Sequence, residues 1–179
     1  QAAKVIDQIG MASAAFQYSF DLNPSDSMVI VAAIPFTPNA DRWTTSTPTR
    51  VDFDQAFSEV RAAWERTLNT VHFKLPPDAQ RYIDVIRSNL AYVLVNKDGP
   101  GFQPGSRSYE RSWIRDGSMT SAALLKFGMS DDVKKYVEWY ASFQYENGMV
   151  PCVVDKRGPD PVPENDSHGE LIFACMEYF

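Results

Sequence analysis

The sequence contains few of the residues from which metal and redox sites are built. Only two cysteines and two histidines occur among its 179 residues. Cys152 and Cys175 both lie in apolar stretches, VPCVV and FACME, where a buried thiol is the usual state. We therefore favour free thiols over a disulfide or a metal pair. The sequence also has no phosphate-binding glycine loop, no dinucleotide fingerprint and no Gly-x-Ser-x-Gly motif, so no cofactor is predicted.

Concentrated positive charge and long apolar runs are also missing. The net charge is −6, and no run of Lys or Arg supplies the basic patch that nucleic-acid binding needs. The longest apolar stretch, MVIVAAIPF at residues 28–36, is too short to span a bilayer and is broken by Pro35. The sequence therefore predicts neither a nucleic-acid nor a membrane partner, and it favours an uncharged ligand.

The first part of the chain has the pattern of strands. AFQYSFDL alternates apolar and polar residues, NPSDS has the composition of a turn, and MVIVAAIPF is a short β-branched run. This pattern predicts two strands joined by a turn, followed by a polar linker, NADRWTTSTPTR. Residues 1–47 are accordingly predicted to be the β-rich tail of an upstream domain plus a linker.

From Asp52 onward the apolar residues recur at the spacing of amphipathic helices. Five helices are predicted in residues 48–179, and they begin near Asp52, Pro76, Asp116, Ser130 and Asp166. Asp52 is predicted to cap the first helix, and Gly128 to end the third in a left-handed conformation. The last helix, LIFACMEYF, is apolar on nearly all sides and needs neighbours, so we expect the chain to be a piece of something longer.

Two long loops precede the third and fifth predicted helices, at residues 97–113 and 146–166. They are rich in Gly, Pro, charged and aromatic residues, and long structured loops at alternate helix ends usually form a binding face. The first loop leads to Trp113, Arg115 and Asp116. Asp116 can cap the helix while Arg115 pairs with an acid. Alternatively, the three side chains can bind a sugar through its hydroxyls and its apolar face. The residue types alone leave both interpretations open.

The second loop leads to Asp166, His168 and Glu170. At the start of a helix, residues 166 and 170 share a face while residue 168 points away, which disfavours a metal site. Ser167 and Glu170 have the spacing of a capping box, which accounts for the glutamate. Asp166 and His168 remain candidate site residues because they lie where a long loop meets a helix.

Two segments, SYERSWIRDGSMTSAALLKFGMSDDVKKYVEWY and ENDSHGELIFACMEY, resemble the opening of the catalytic domain in six-hairpin glycosidases. The likeness is greatest to bacterial glucoamylase-like enzymes and covers about residues 107–179. It implies an all-α fold made of helical hairpins from an incomplete (α/α)6 toroid, preceded by a short β segment. It also implies a glycoside hydrolase that acts on neutral oligosaccharides or polysaccharides.

The resemblance implies roles for five residues. Trp113, Arg115 and Asp116 are expected to bind the terminal sugar, with Asp166 and His168 near the same mouth. Ser167 and His168 stand where the family commonly has an aromatic residue before its Gly-Glu pair, so the preferred sugar is not predicted. The family's general acid and base are glutamates on later loops, so this pair is expected beyond residue 179, in a remainder of the polypeptide that closes the toroid.

Two alternatives stay open. One is a phosphorylase or isomerase on the same toroid, and the other is a non-catalytic helical interaction domain.

Overall fold

The computed structural model describes Ile6, residues 8–32 and residues 49–179, without the side chains of residues 50 and 51. The chain divides into two compact units, Gln1–Ser58 and Glu59–Phe179. The described part contains five α-helices and three short strands. The helices are α1 (Arg50–Leu68), α2 (Gln80–Val95), α3 (Ile114–Lys126), α4 (Ser130–Ala141) and α5 (Ser167–Tyr178), and the strands are β1 (Ser112–Trp113), β2 (Val153–Asp155) and β3 (Gly158–Pro159).

The predicted strands before the helices are not formed in residues 8–32. The predicted turn is present, because the Asp26 N–H donates to the Asn23 carbonyl oxygen at 3.0 Å. However, Phe16 and Val29 on either side of it are 89% and 49% exposed. An alternating pattern specifies a strand only where a partner strand takes its backbone hydrogen bonds, and no described strand pairs with this segment. The rest of the second strand and most of the linker, residues 33–48, lie outside the described residues.

Helix α1 begins earlier than the sequence predicts. Asp52 does not cap it, because Thr49 does: the Asp52 N–H donates to Thr49 Oγ1 at 3.3 Å. Asp52 reaches back in return, and its Oδ2 accepts hydrogen bonds from the Thr49 N–H at 3.0 Å and from Thr49 Oγ1 at 2.6 Å. This is the reciprocal arrangement of a capping box, with the acid at the third helical position.

The core of the second unit lies where α3, α4 and α5 meet. Helix α4 contributes one buried stripe, as its helical spacing predicts, and its members are Val133, Tyr136, Val137 and Tyr140. Ile114 and Leu124 of α3 and Leu171 and Ala174 of α5 pack against that stripe. Helix α2 adds Leu90 to the same core. The mostly helical class is confirmed, whereas the toroidal arrangement stays a prediction.

Helix α3 begins at Ile114, which rules out the cap at Asp116 that the sequence left open as one of two interpretations. Trp113 occupies the N-cap position with an extended backbone, φ −84° and ψ 137°, and makes no side-chain capping bond. Instead, the Ile114 N–H donates to the carbonyl oxygen of Cys152 at 3.0 Å, so the second long loop satisfies this helix end. The helix ends as predicted, with Gly128 in the left-handed region at φ +71°.

A small antiparallel sheet joins the two long loops, and the sequence patterns did not predict it. Trp113 of β1 pairs with Val153 of β2, and Val154 of β2 pairs with Pro159 of β3. The loops therefore form one surface beside the starts of α3 and α5. Both thiols are free; Cys152 is buried as predicted, and burial raises its pKa, whereas Cys175 is only partly buried. None of the helices within residues 49–179 combines the length and apolarity needed to cross a bilayer.

Candidate functional site

Arg115 and Asp166, two of the predicted site residues, contact each other. Arg115 Nε donates to Asp166 Oδ2 at 2.8 Å, and Arg115 Nη2 donates to Glu164 Oε2 at 2.8 Å. The hydrogen bond that Arg115 donates to Asp166, then the charge of Asp166 and the bond donated to Glu164, raise the pKa of Arg115. The side chains are 40–47% exposed, so these pairs add little to stability but fix the direction of the guanidinium. The start of α3 is thereby tied to the start of α5 and its preceding loop.

Asp116 lies beside this pair on the first turn of α3 and faces a separate hollow. It is exposed, and within the part of the chain that the structure describes its carboxylate accepts no hydrogen bond. The hollow has a volume of about 360 Å³. We call it the Asp116 hollow, and its lining includes Asn89, Tyr92, Asn96, Gln103, Asp116 and Met119. Asp116 is thus a negatively charged acceptor that is open to a ligand.

A second hollow adjoins the first on the α5 side. It has a volume of about 510 Å³, and its lining consists of Met119, Asn165, Asp166, Gly169, Glu170 and Phe173. We call it the Asp166 hollow. Met119 lines both hollows. The carboxylates of Asp116 and Asp166, which are distant in sequence, therefore belong to neighbouring hollows with one shared wall.

Glu170 is a further member of this site, and the sequence analysis missed it. The predicted capping box with Ser167 is not formed. The Ser167 hydroxyl is buried and has no partner among the described residues, while Glu170 Oε2 accepts a hydrogen bond from Ser118 Oγ of α3. Ser118 Oγ also lies 2.9 Å from the carbonyl oxygen of Arg115. The spacing of residues 166 and 170 was the available signal, since it predicts one shared helix face.

His168 and Trp113 lie apart from the two hollows. His168 is exposed on the first turn of α5, and no residue in the described ranges binds its side chain. The Trp113 ring is half-buried, with its centroid 6.1 Å from that of Tyr109 and 5.5 Å from Cζ of Arg111. Neither side chain lines either hollow. The structure therefore links Arg115 to Asp166 by a hydrogen bond and Asp116 to Asp166 through adjoining hollows, whereas Trp113 and His168 take part in neither link.

The sheet beside the site is held by its own ion pairs. Arg111 Nε donates to Asp155 Oδ2 at 2.8 Å, and Arg111 Nη2 donates to Asp160 Oδ2 at 3.2 Å. Arg157 also donates to Asp155, and this hydrogen bond is the main reason that the pKa of Asp155 lies well below its usual range. These bonds join the residue just before β1 to Asp155 of β2 and to Asp160 after β3, so the loop that carries Glu164 and Asp166 is anchored before it reaches α5.

The described residues offer no metal centre, because no three His, Cys, Asp or Glu side chains among them converge as ligands. The chemistry of the site is that of hydrogen bonding. Carboxylates accept, the guanidinium donates and amides do both. Comparisons with protein-family models, with curated proteins and with solved structures gave no match to this chain.

Proposed function

We propose that this chain binds a neutral oligosaccharide where α3 and α5 begin, and that it supplies the substrate-binding part of a glycoside hydrolase. One observation carries the proposal: Arg115 is oriented by Asp166, while its neighbour Asp116 faces an open hollow. Arg115 is a fixed donor that is bonded to a wall residue of the Asp166 hollow, and its neighbour Asp116 is a free acceptor in the wall of the Asp116 hollow. A sugar ring presents adjacent hydroxyl groups, each of which both donates and accepts, so it suits such a pair.

The charge of the site supports a neutral ligand. Arg115 contributes one positive charge, whereas Asp116, Glu164, Asp166 and Glu170 are four acidic side chains. A phosphate or an acidic saccharide would meet a surplus of like charge, which is costly in a partly enclosed site. The same surplus disfavours phosphate as a co-substrate. It therefore favours a hydrolase over a phosphorylase.

Arg115 and the residues of the two hollows are assigned to binding and not to the chemical step. Hydrolysis with inversion needs a carboxylic acid that protonates the leaving group and a carboxylate that activates water, about 6.5–9.5 Å apart. The family resemblance places those two groups on later loops. Arg115 and Asp116 would hold the terminal sugar so that its glycosidic bond meets them, and binding energy at such a site lowers the barrier through orientation.

The test is to measure oligosaccharide binding and hydrolysis in the protein that carries this sequence. Arg115→Ala and Asp116→Asn are each expected to lower kcat/KM roughly 10- to 100-fold, the effect of losing a charged hydrogen bond worth about 1.5–3 kcal/mol. Arg61→Ala is the matched control, because Arg61 also forms an exposed ion pair, but its partner is Glu65 on α1 and not an acid beside the Asp166 hollow.

Three outcomes would contradict the proposal. Near-wild-type turnover in both Arg115→Ala and Asp116→Asn would remove these residues from the substrate site. Turnover that requires phosphate would identify a phosphorylase. Failure of every neutral oligosaccharide to bind the wild-type protein would favour a non-catalytic helical domain.

A further inference from the structure

Helix α2 contributes a wall to the Asp116 hollow, and neither the motifs nor the resemblance points to it. Asn89, Tyr92 and Asn96 line the hollow, and their spacing of three and four residues places them on one face of the helix. Gln103 of the following loop completes the wall. Asp116 lies on α3, which forms another side of the same hollow.

Tyr92 presents a large aromatic ring to this hollow. Its residue is 67% exposed, and its side chain has no hydrogen bond or ring contact within the described ranges. An exposed tyrosine ring offers a flat, rigid surface at low entropic cost, and the C–H groups on one face of a pyranose pack on such a surface. The ring is therefore available to a ligand and is not part of the core.

The amides beside Tyr92 are oriented but not saturated. Asn89 Nδ2 donates to the Val85 carbonyl oxygen at 2.8 Å, and Asn96 Nδ2 donates to the Tyr92 carbonyl oxygen at 3.0 Å. Each bond engages one of the two amide N–H groups and leaves the side-chain oxygen free. Gln103 makes no side-chain bond to a described residue. The wall thus offers both donors and acceptors next to an aromatic surface.

We propose that the Asp116 hollow is a subsite for one neutral pyranose unit, in which the Tyr92 ring stacks on the sugar. Asp116 accepts hydrogen bonds from two adjacent hydroxyls, and Asn96 and Gln103 select the configuration of the others. An apolar ligand would leave the carboxylate and the amides without partners, and an anion would be repelled by Asp116. This inference rests on the proposed function and adds the residues that determine specificity.

The experiment compares saccharide binding by Tyr92→Ala, Tyr92→Phe and Tyr82→Ala, using isothermal titration with the neutral oligosaccharide that the wild-type protein binds best. Tyr92→Ala is expected to weaken binding about 5- to 20-fold, as loss of one aromatic contact does. Tyr92→Phe keeps the ring and should stay within about twofold of wild type. Tyr82 is the matched control, since it lies on the same helix, is 55% exposed and lines neither hollow.

The outcomes separate this inference from the function on which it rests. One outcome is that the wild type binds saccharide, that Asp116→Asn abolishes this binding and that Tyr92→Ala binds with normal affinity. The stacking role is then overturned while the proposed function stands. If Tyr92→Phe weakens binding as much as Tyr92→Ala does, the tyrosine hydroxyl and not the ring makes the contact. That result also overturns the stacking role. If no neutral saccharide binds the wild type, both proposals fail. Thermal unfolding should be unchanged in all three variants, because truncating an exposed side chain removes little packing.

Discussion

Gly117 is the residue whose replacement tests the packing of α3 most directly. A Cβ atom at this position would lie 1.8 Å from the Tyr136 hydroxyl oxygen and 2.2 Å from Cζ of the same ring. Tyr136 is completely buried, and its ring stacks on Phe102 with centroids 4.7 Å apart and touches Tyr140 at 5.6 Å. The ring cannot retreat without displacing these neighbours. Gly117→Ala is therefore expected to destabilise the fold although alanine is the better helix former.

Two opposing contributions determine how much Gly117→Ala changes the free energy of unfolding. Inserting one methyl group into a well-packed core typically costs 1–3 kcal/mol and occasionally more, and an overlap this deep lies at the upper end, about 3 kcal/mol. Replacing glycine by alanine inside a helix returns about 1 kcal/mol. The free energy of unfolding should thus fall by about 2 kcal/mol or more.

A second glycine provides the control. Gly169 also lies in a helix, α5, but a Cβ there would have no atom within 4 Å, so Gly169→Ala should stabilise the protein by up to about 1 kcal/mol. Both variants would be unfolded in urea and followed by far-ultraviolet circular dichroism. The slope of the unfolding free energy against urea concentration should be the same in both. Equal stability of the two variants would refute the placement of the Tyr136 ring against α3.

Two further predictions concern polar groups. Ser118→Ala removes the donor to Glu170 and should lower the free energy of unfolding by about 1–2 kcal/mol, with a smaller cost in a Glu170→Gln background; additive costs in urea unfolding would contradict the bond. The pKa of Asp155 is depressed in the folded state, chiefly by the hydrogen bond from Arg157, so its contribution to stability is present above the unfolded pKa of about 4 and is lost as the pH falls below it. Asp155→Asn should therefore reduce the fall in melting temperature on acidification. An equally steep fall in the variant and the wild type below about pH 4 would count against the Arg157–Asp155 pair.

The helices were predictable because their signals are local. The stripe of α4 and the left-handed glycine that ends α3 depend on residues a few positions apart, and both predictions are confirmed. Caps were less predictable. Asp52 was predicted to cap a helix and Asp116 was one candidate for a cap, yet each lies at the third helical position. A carboxylate is favourable anywhere in the first turn of a helix, so composition alone does not locate the cap.

The contacts that build the site join residues far apart in the chain, and no local pattern encodes them. Arg115 and Asp166 are 51 residues apart, and Ser118 and Glu170 are 52 apart. These contacts follow from the docking of α3 on α5 and from the small sheet that ties the long loops together. The strands predicted before Ala32 are not formed for a related reason. Alternation of apolar and polar residues produces a strand only where a partner strand is available to pair with it.

One face of helix α3 packs in the core, and the opposite face carries residues of the candidate site. Gly117, Ser118 and Ser121 are small and fully or nearly fully buried, so α4 and α5 can approach α3 closely, while Arg115, Asp116 and Met119 are exposed at the same end. Close approach lets the buried Ser118 hydroxyl reach Glu170, and that bond ties α3 to the first turn of α5, directly after Asp166. A substitution that widens the gap between α3 and α5 should therefore move the carboxylates of the Asp166 hollow relative to Asp116 without touching either hollow. We therefore expect such a substitution to weaken the proposed saccharide binding more than its effect on stability suggests.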